Sequence, residues 1–132
     1  MAEKYDAMRS ECAWECVDVD DATLVVVAFG SIARIARSTI RRLRAEGHRV
    51  GLFRPVTLFP FPAEALRSLL PGRRFLVMEQ NLGQMVEDVR QALFGMPHVT
   101  SDTVKWHGIM PGLFINADEL REPMMQSLKE VR

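Results

Sequence analysis

Cysteines, phosphate-binding glycine motifs, long apolar runs and net charge are scarce or missing in this sequence, and each gap removes a class of function. Of its 132 residues only Cys12 and Cys16 are cysteines. Two do not make a disulfide framework, and C-x-x-x-C is not the C-x-x-C pair of a zinc site. The histidines, His48, His98 and His107, fall in three separate segments, so no metal-ligand cluster is legible. No apolar run reaches the ~18–20 residues that cross a bilayer, and residues 1–6 contain no apolar core of a secretory signal. Lys+Arg and Asp+Glu number 17 each, a balance that argues against a nucleic-acid or anionic-membrane partner. The glycine-rich dinucleotide fingerprint, the phosphate loop and the G-x-S-x-G nucleophile elbow are all missing. A cytoplasmic, reducing setting is the expectation.

What is present is an α/β pattern. Apolar residues make up 48% and charged residues 26%, the balance of one soluble domain with its own core. Residues 1–21 are acidic and polar and are expected to be a lead-in that docks partly; residues 22–132 form the domain. Residues 24–29 (Leu-Val-Val-Val-Ala-Phe) read as a strand buried on both faces. Gly30-Ser31 reads as a turn with a serine N-cap before a helix over 32–46 that stops at Gly47. Ile32, Ala36, Ile40 and Leu43 share one face of that helix. Arg34, Arg37, Arg41 and Arg44 form a second stripe, either a solvated face or a contact through salt bridges.

Strands are expected at 49–53, at 75–79 and, at a sheet edge, at 99–106. Helices are expected at 63–70, at 84–94 and from 117 onward, the last interrupted or restarted at Pro123. Strands alternating with helices predict a parallel or mixed sheet covered on both faces. Between the second strand and the next helix lies Arg54-Pro55-Val56-Thr57-Leu58-Phe59-Pro60-Phe61-Pro62. Three prolines stiffen it and remove three donors. An apolar connector of this kind has to pack on something.

Three strand ends are candidate sites, because open α/β sheets bind ligands at the carboxyl ends of their strands. Gly30 and Ser31 could hold an anion at a helix N-terminus, or simply make a tight turn. Arg54 and Thr57 could clamp a carboxylate or phosphate, or tie the connector to a neighbouring backbone or subunit. Glu79-Gln80-Asn81-Leu82-Gly83-Gln84 could form a polar site, or Asn81 could cap the next helix with Glu79 near its dipole. Cys12, Trp14 and Cys16 would share one face of a strand and read as packing groups.

Three segments in this order resemble a known family: residues 26–34 (Val-Val-Ala-Phe-Gly-Ser-Ile-Ala-Arg), residues 54–62, and residues 79–90 (Glu-Gln-Asn-Leu-Gly-Gln-Met-Val-Glu-Asp-Val-Arg). They are similar to the C-terminal domain of the α subunit of 2-oxoacid:ferredoxin oxidoreductases, of the branched-chain 2-oxoacid or 2-oxoglutarate type. The likeness extends back to Glu3-Lys4-Tyr5 and covers most of the chain. It implies a transketolase C-terminal-like fold, a three-layer α/β/α sandwich with a mostly parallel, mixed sheet. It implies a whole enzyme that decarboxylates a 2-oxoacid on thiamine diphosphate, makes an acyl-CoA and sends electrons through iron–sulfur clusters to ferredoxin.

The resemblance places thiamine diphosphate, Mg2+, the clusters and CoA elsewhere in that complex, none of them bound by this chain. The partners it implies are a pyrimidine-binding domain, a thiamine-binding β subunit, a ferredoxin-like subunit and a second copy of the chain. Alone, the chain is expected to be inactive, with no catalytic residue of its own and an exposed apolar patch around residues 56–61. Interface or anion contacts are expected at Gly30, Ser31, Arg54, Thr57, Phe59, Phe61, Glu79, Asn81, Gly83 and Gln84. The sequence departs from the family after the fourth strand. Trp106-His107-Gly108-Ile109-Met110-Pro111-Gly112 stands where the family commonly has aromatic-Gly-Arg-x-Gly-Gly, without the arginine and one glycine. Two other readings are a regulatory α/β module for a small molecule or nucleotide, and the equivalent domain of a transketolase or a 2-oxoacid dehydrogenase β subunit.

Overall fold

The five-residue run Leu24–Ala28 is wholly buried and forms the centre of the sheet. The computed structural model describes residues 13–56, 60–80, 84–109 and 116–130. Within them the strands are β1 (Trp14–Val17), β2 (Leu24–Ala28), β3 (Val50–Pro55), β4 (Arg74–Glu79) and β5 (Val104–Gly108). The helices are α1 (Gly30–Ala45), α2 (Ala63–Arg67), α3 (Gln84–Leu93) and α4 (Ala117–Glu130). The strand order is β1-β3-β2-β4-β5, with β1 antiparallel to β3 and every other pairing parallel.

Alternation along each strand divides the core into two layers. Val25, Val27, Phe53, Phe75 and Val77 face α2 and α3. Leu24, Val26, Leu52, Leu76 and Met78 face α1 and α4. The expected three-layer α/β/α sandwich with a mixed sheet is therefore the fold.

Helix α1 begins two residues earlier than its apolar stripe implied. Its N-cap is Phe29, in extended conformation, and no side chain caps it. Gly30 takes φ +64°, a left-handed value that a side chain disfavours. Ser31 is therefore inside the helix, and its expected capping role is replaced by backbone geometry. At the other end, His48 N donates to Leu43 O and Gly47 N to Arg44 O, with Gly47 at φ +96°. This pair of bonds satisfies carbonyls that the helix leaves open.

The acidic lead-in contributes a strand that its polarity concealed. Glu15 and Val17 point inward and Trp14 and Cys16 outward, so β1 is half-buried at the edge of the sheet. The expectation that Trp14 and Cys16 share a face holds, but that face is exposed, and Cys12 lies outside the described residues. Gly51 is required beneath the following loop, because a Cβ there would meet Asp18 O at 2.7 Å. The arginine stripe on α1 explains why β1 stays attached. Arg44 donates to Val50 O at 2.9 Å and forks onto Asp21 at 2.7 and 2.9 Å, while Arg37 reaches Glu15 at 2.7 Å. Arg34 and Arg41 remain exposed. Half of the stripe is thus a salt-bridged contact within the domain.

The fourth parallel strand starts later than expected. Residues 100–103 close a turn in which Thr103 Oγ1 accepts from Thr100 N and Thr100 Oγ1 from Asp102 N. Those hydroxyl bonds compete with strand pairing, and β5 begins only at Val104, at the edge position expected. Helix α4 runs through Pro123 without a break. Asn116 Oδ1 accepts from Glu119 N at its start, and Thr39 Oγ1 donates to Ala117 O at 2.9 Å, pinning α4 to α1. Of its expected stripe, Leu120 and Met124 are buried and Leu128 packs partly against them, while Val131 lies outside the described residues.

Candidate functional site

The chain leaves β2 into α1 on one face of the sheet and leaves β4 into α3 on the opposite face. The two strands are neighbours, so a crevice opens between their carboxyl ends. This switch in winding direction is where open α/β sheets take ligands. The crevice has a volume of about 320 Å³. Gly30, Ser31 and Phe29 form one wall, and Glu79, Gln84 and Asp88 the other.

Glu79 governs the second wall. It is only 5% exposed, yet it is fully occupied. Oε1 accepts from Met85 N at 2.9 Å, and Oε2 accepts from Val86 N at 2.9 Å and from Trp106 Nε1 at 3.1 Å. The carboxylate therefore sits where an external anion would sit at the start of α3, and it also anchors the edge strand β5. Of the two sequence readings for this segment, the capping one is realised by Glu79 itself. Asn81 and Gly83 lie outside the described residues. Asp88, one turn into α3, has its carboxyl pushed up, chiefly by burial and further by the charges of Glu79 and Glu87.

The first wall is the N-terminus of α1, which has no acidic residue in its first turn and no side-chain cap. That end favours negative charge, but it faces two carboxylates, and among the described residues no Lys, Arg or His lines the crevice. Among these residues the two facing carboxylates would repel a phosphate or diphosphate. Among the described residues no group of three or more His, Cys, Asp or Glu could hold a metal ion.

Arg54 does not join Gly30, Ser31, Glu79 and Gln84. It lies on β3, beyond β2 from the crevice, and pairs at 3.6 Å with Glu15, the residue opposite it on β1. Gly30-Ser31 and Arg54 therefore do not share an anion pocket, and Asn81, the other group expected to complete one, lies outside the described residues. Thr57 and Phe59 lie outside the described residues. Phe61 is partly buried and packs against the α2/α3 side of the core.

A different apolar group is exposed at the same end of the sheet. Val56 follows β3, Phe29 follows β2, and Trp14 opens β1 opposite Pro55; each is about half-exposed. Three neighbouring strands thus present a large apolar side chain at one rim. Sequence reasoning anticipated Val56 but missed Trp14 and Phe29. Trp14 sits in an acidic stretch, and Phe29 reads as the last residue of a buried strand. Trp106 was expected only as the end of the edge strand and the start of the divergent 106–112 segment. Its indole N–H gives it a partner in Glu79. Beside it, burial holds the His107 imidazole below its ordinary pKa.

A doubly wound three-layer domain with a capped, acidic crevice and an apolar rim is the class defined by this geometry. Residues 22–112 match the family described as pyruvate:ferredoxin oxidoreductase core domain II, and the chain belongs to that family. It is 48% identical over 94 residues to the ketoisovalerate oxidoreductase subunit VorB of Methanothermobacter thermautotrophicus, covering 70% of this chain and 27% of that subunit. It is 36% identical over 81 residues to the 2-oxoglutarate synthase subunit KorA of Methanothermobacter marburgensis, covering 61% of this chain and 22% of that one. In fold it resembles a solved 2-oxoglutarate:ferredoxin oxidoreductase of Magnetococcus marinus, with TM-score 0.79 at 21% identity over 96% of this chain and 21% of the other. It also resembles a split-gene transketolase described as an inactive β4 tetramer, with TM-score 0.69 at 17% identity over 89% of this chain and 42% of the other. The chain spans about a quarter of the length of the curated relatives it matches.

Proposed function

We propose that this chain is a non-catalytic interface domain of a 2-oxoacid:ferredoxin oxidoreductase, bracing the domains that carry the cofactors. The observation that carries this reading is the rim of Trp14, Val56 and Phe29, three half-exposed apolar side chains on adjoining strands. Such a group at one edge of a domain is the mark of a surface covered by other protein. Among the described residues the crevice beside it presents no cation of the kind that a thiamine diphosphate or CoA phosphate would need. On this reading thiamine diphosphate, Mg2+, iron–sulfur clusters and CoA belong to other parts of the complex, and no step of the reaction is assigned to residues of this chain.

The whole enzyme would convert a 2-oxoacid and CoA to an acyl-CoA and CO2, with ferredoxin as electron acceptor. VorB and KorA point to branched-chain 2-oxoacids or 2-oxoglutarate as the substrate class. The partners are a pyrimidine-binding domain, a thiamine-binding subunit, a ferredoxin-like subunit and a second copy of the chain, in the cytoplasm. Co-expression with the remaining subunits from the same source tests this reading. A stable complex that loses this chain on Val56→Asp supports it, and a chain that never co-purifies overturns it. A regulatory anion-binding module is the rival reading. Thermal-shift measurements with inorganic phosphate, CoA and 2-oxoglutarate are expected to leave the melting temperature unchanged, and a dose-dependent rise would favour the rival.

A further inference from the structure

At the β1–β3 edge two guanidinium groups share one carboxylate. Glu15 Oε1 lies 2.7 Å from Arg37 Nη2, and Glu15 Oε2 lies 3.6 Å from Arg54 Nη1. Neither contact has the geometry of a hydrogen bond, and Arg37 Nε, Arg54 Nε and Glu15 Oε1 are shielded from water with no hydrogen-bond partner. Among the described residues Glu15 is the one carboxylate that either arginine meets, so two guanidinium charges face one carboxylate within that set. The three side chains still keep 42% (Arg37), 31% (Arg54) and 36% (Glu15) of their surface in solvent. Water screens the imbalance in the free chain.

The cluster lies at the apolar rim. Val56 stands two residues beyond Arg54, its N–H bonded to Ala13 O at 2.9 Å, and Trp14 precedes Glu15 on the opposite face of β1. A protein surface that covers Val56, two residues along the chain from Arg54, also removes water from Arg54. If that surface were only apolar, it would leave a guanidinium unpaired away from solvent, an arrangement that strongly opposes association. A guanidinium has donors only, and a carboxylate matches its fork with two parallel bonds.

We propose that the surface docked on this rim brings a carboxylate, from an aspartate, a glutamate or a chain terminus, onto Arg54. Glu15 then turns to Arg37 alone and closes the two-bond fork that the shared arrangement prevents. The occupant is a segment of the remaining enzyme, because the chain spans only about a quarter of its relatives' length. This inference rests on the interface reading above and adds the chemistry of the partner.

The test is association between the chain and the remaining subunits from the same source, measured by sedimentation over a range of NaCl concentrations. Arg54→Gln is expected to weaken the wild-type complex roughly thirtyfold or more, the usual effect of stranding a charge in an interface, and to flatten its dependence on salt. Arg54→Lys is expected to recover part of the affinity, since it keeps the charge and loses the fork, and it serves as the primary variant should Arg54→Gln fail to fold. Melting temperatures of the free chains serve as the folding control. Wild-type affinity and salt dependence in a folded Arg54→Gln chain would overturn the proposal while leaving the interface reading intact. A wild-type chain that binds nothing would remove both.

Discussion

Glu79 shows how a residue that reads as a binding group can be consumed by the fold. Its two oxygens take three donors, from Met85, Val86 and Trp106. Glu79→Gln replaces one acceptor by a donor that faces a donor. Chemical denaturation is expected to show a loss of about 1.5–3 kcal/mol, the range for hydrogen bonds to charged groups. Trp106→Phe removes a single bond from the same oxygen and is expected to cost about 1 kcal/mol. Asp88 behaves in the opposite sense. Its folded carboxyl is pushed up by burial and by its acidic neighbours, so the folded state binds its proton more readily than the unfolded chain. Its contribution is favourable below the ordinary aspartate range and is lost as pH rises through the raised folded value. Asp88→Asn is therefore expected to raise the melting temperature at neutral pH and to make no difference in acid. A lower melting temperature at neutral pH would show the charged form to be the useful one. The sequence placed Glu79 and Asp88 on the right segment, but hydrogen-bond partners 27 residues apart, such as Glu79 and Trp106, leave no local trace.

At the scale of elements, what was legible depended on whether local pattern and tertiary contact agreed. The buried run Leu24–Ala28 and the 3.6-residue stripe of Gly30–Ala45 follow from apolar spacing alone. The strand Trp14–Val17 did not, because only four residues add to the sheet and they are held by Arg37 and β3 rather than by their own hydrophobicity. The start of β5 was misplaced because threonine, a good strand former, also makes the hydroxyl-bonded turn at 100–103. Two glycines separate backbone conformation from space. Gly30→Ala meets nothing within 4 Å but must hold φ +64°, for an expected cost of about 1–2 kcal/mol. Gly51→Ala has no such conformational demand but would press against Asp18 O, for about 1–3 kcal/mol. Denaturant melts of the two variants, with hydrogen exchange at Glu15–Val17 amides, distinguish them: only Gly51→Ala is expected to speed exchange in β1.

At the scale of the molecule, the fold was readable from alternating strands and helices, and the family from three segments in order. The candidate site was only half readable. Gly30, Ser31, Glu79 and Gln84 do converge on one crevice, whereas Arg54 faces the other way because β3 lies on the far side of β2. That separation turns the crevice from an anion pocket into an acidic notch, and leaves the apolar rim as the feature on which the interface proposal rests. Rim and notch lie at the same, carboxyl end of the sheet, so a domain docked on one would close over the other. Sedimentation of the chain, alone and mixed with the remaining subunits from the same source, tests the central claim most directly. Concentration-dependent self-association of the free chain, incorporation into the mixed complex, and loss of both on combining Trp14→Ser with Val56→Asp are the expected results. A chain that stays a monodisperse monomer at high concentration and joins no complex would contradict that claim.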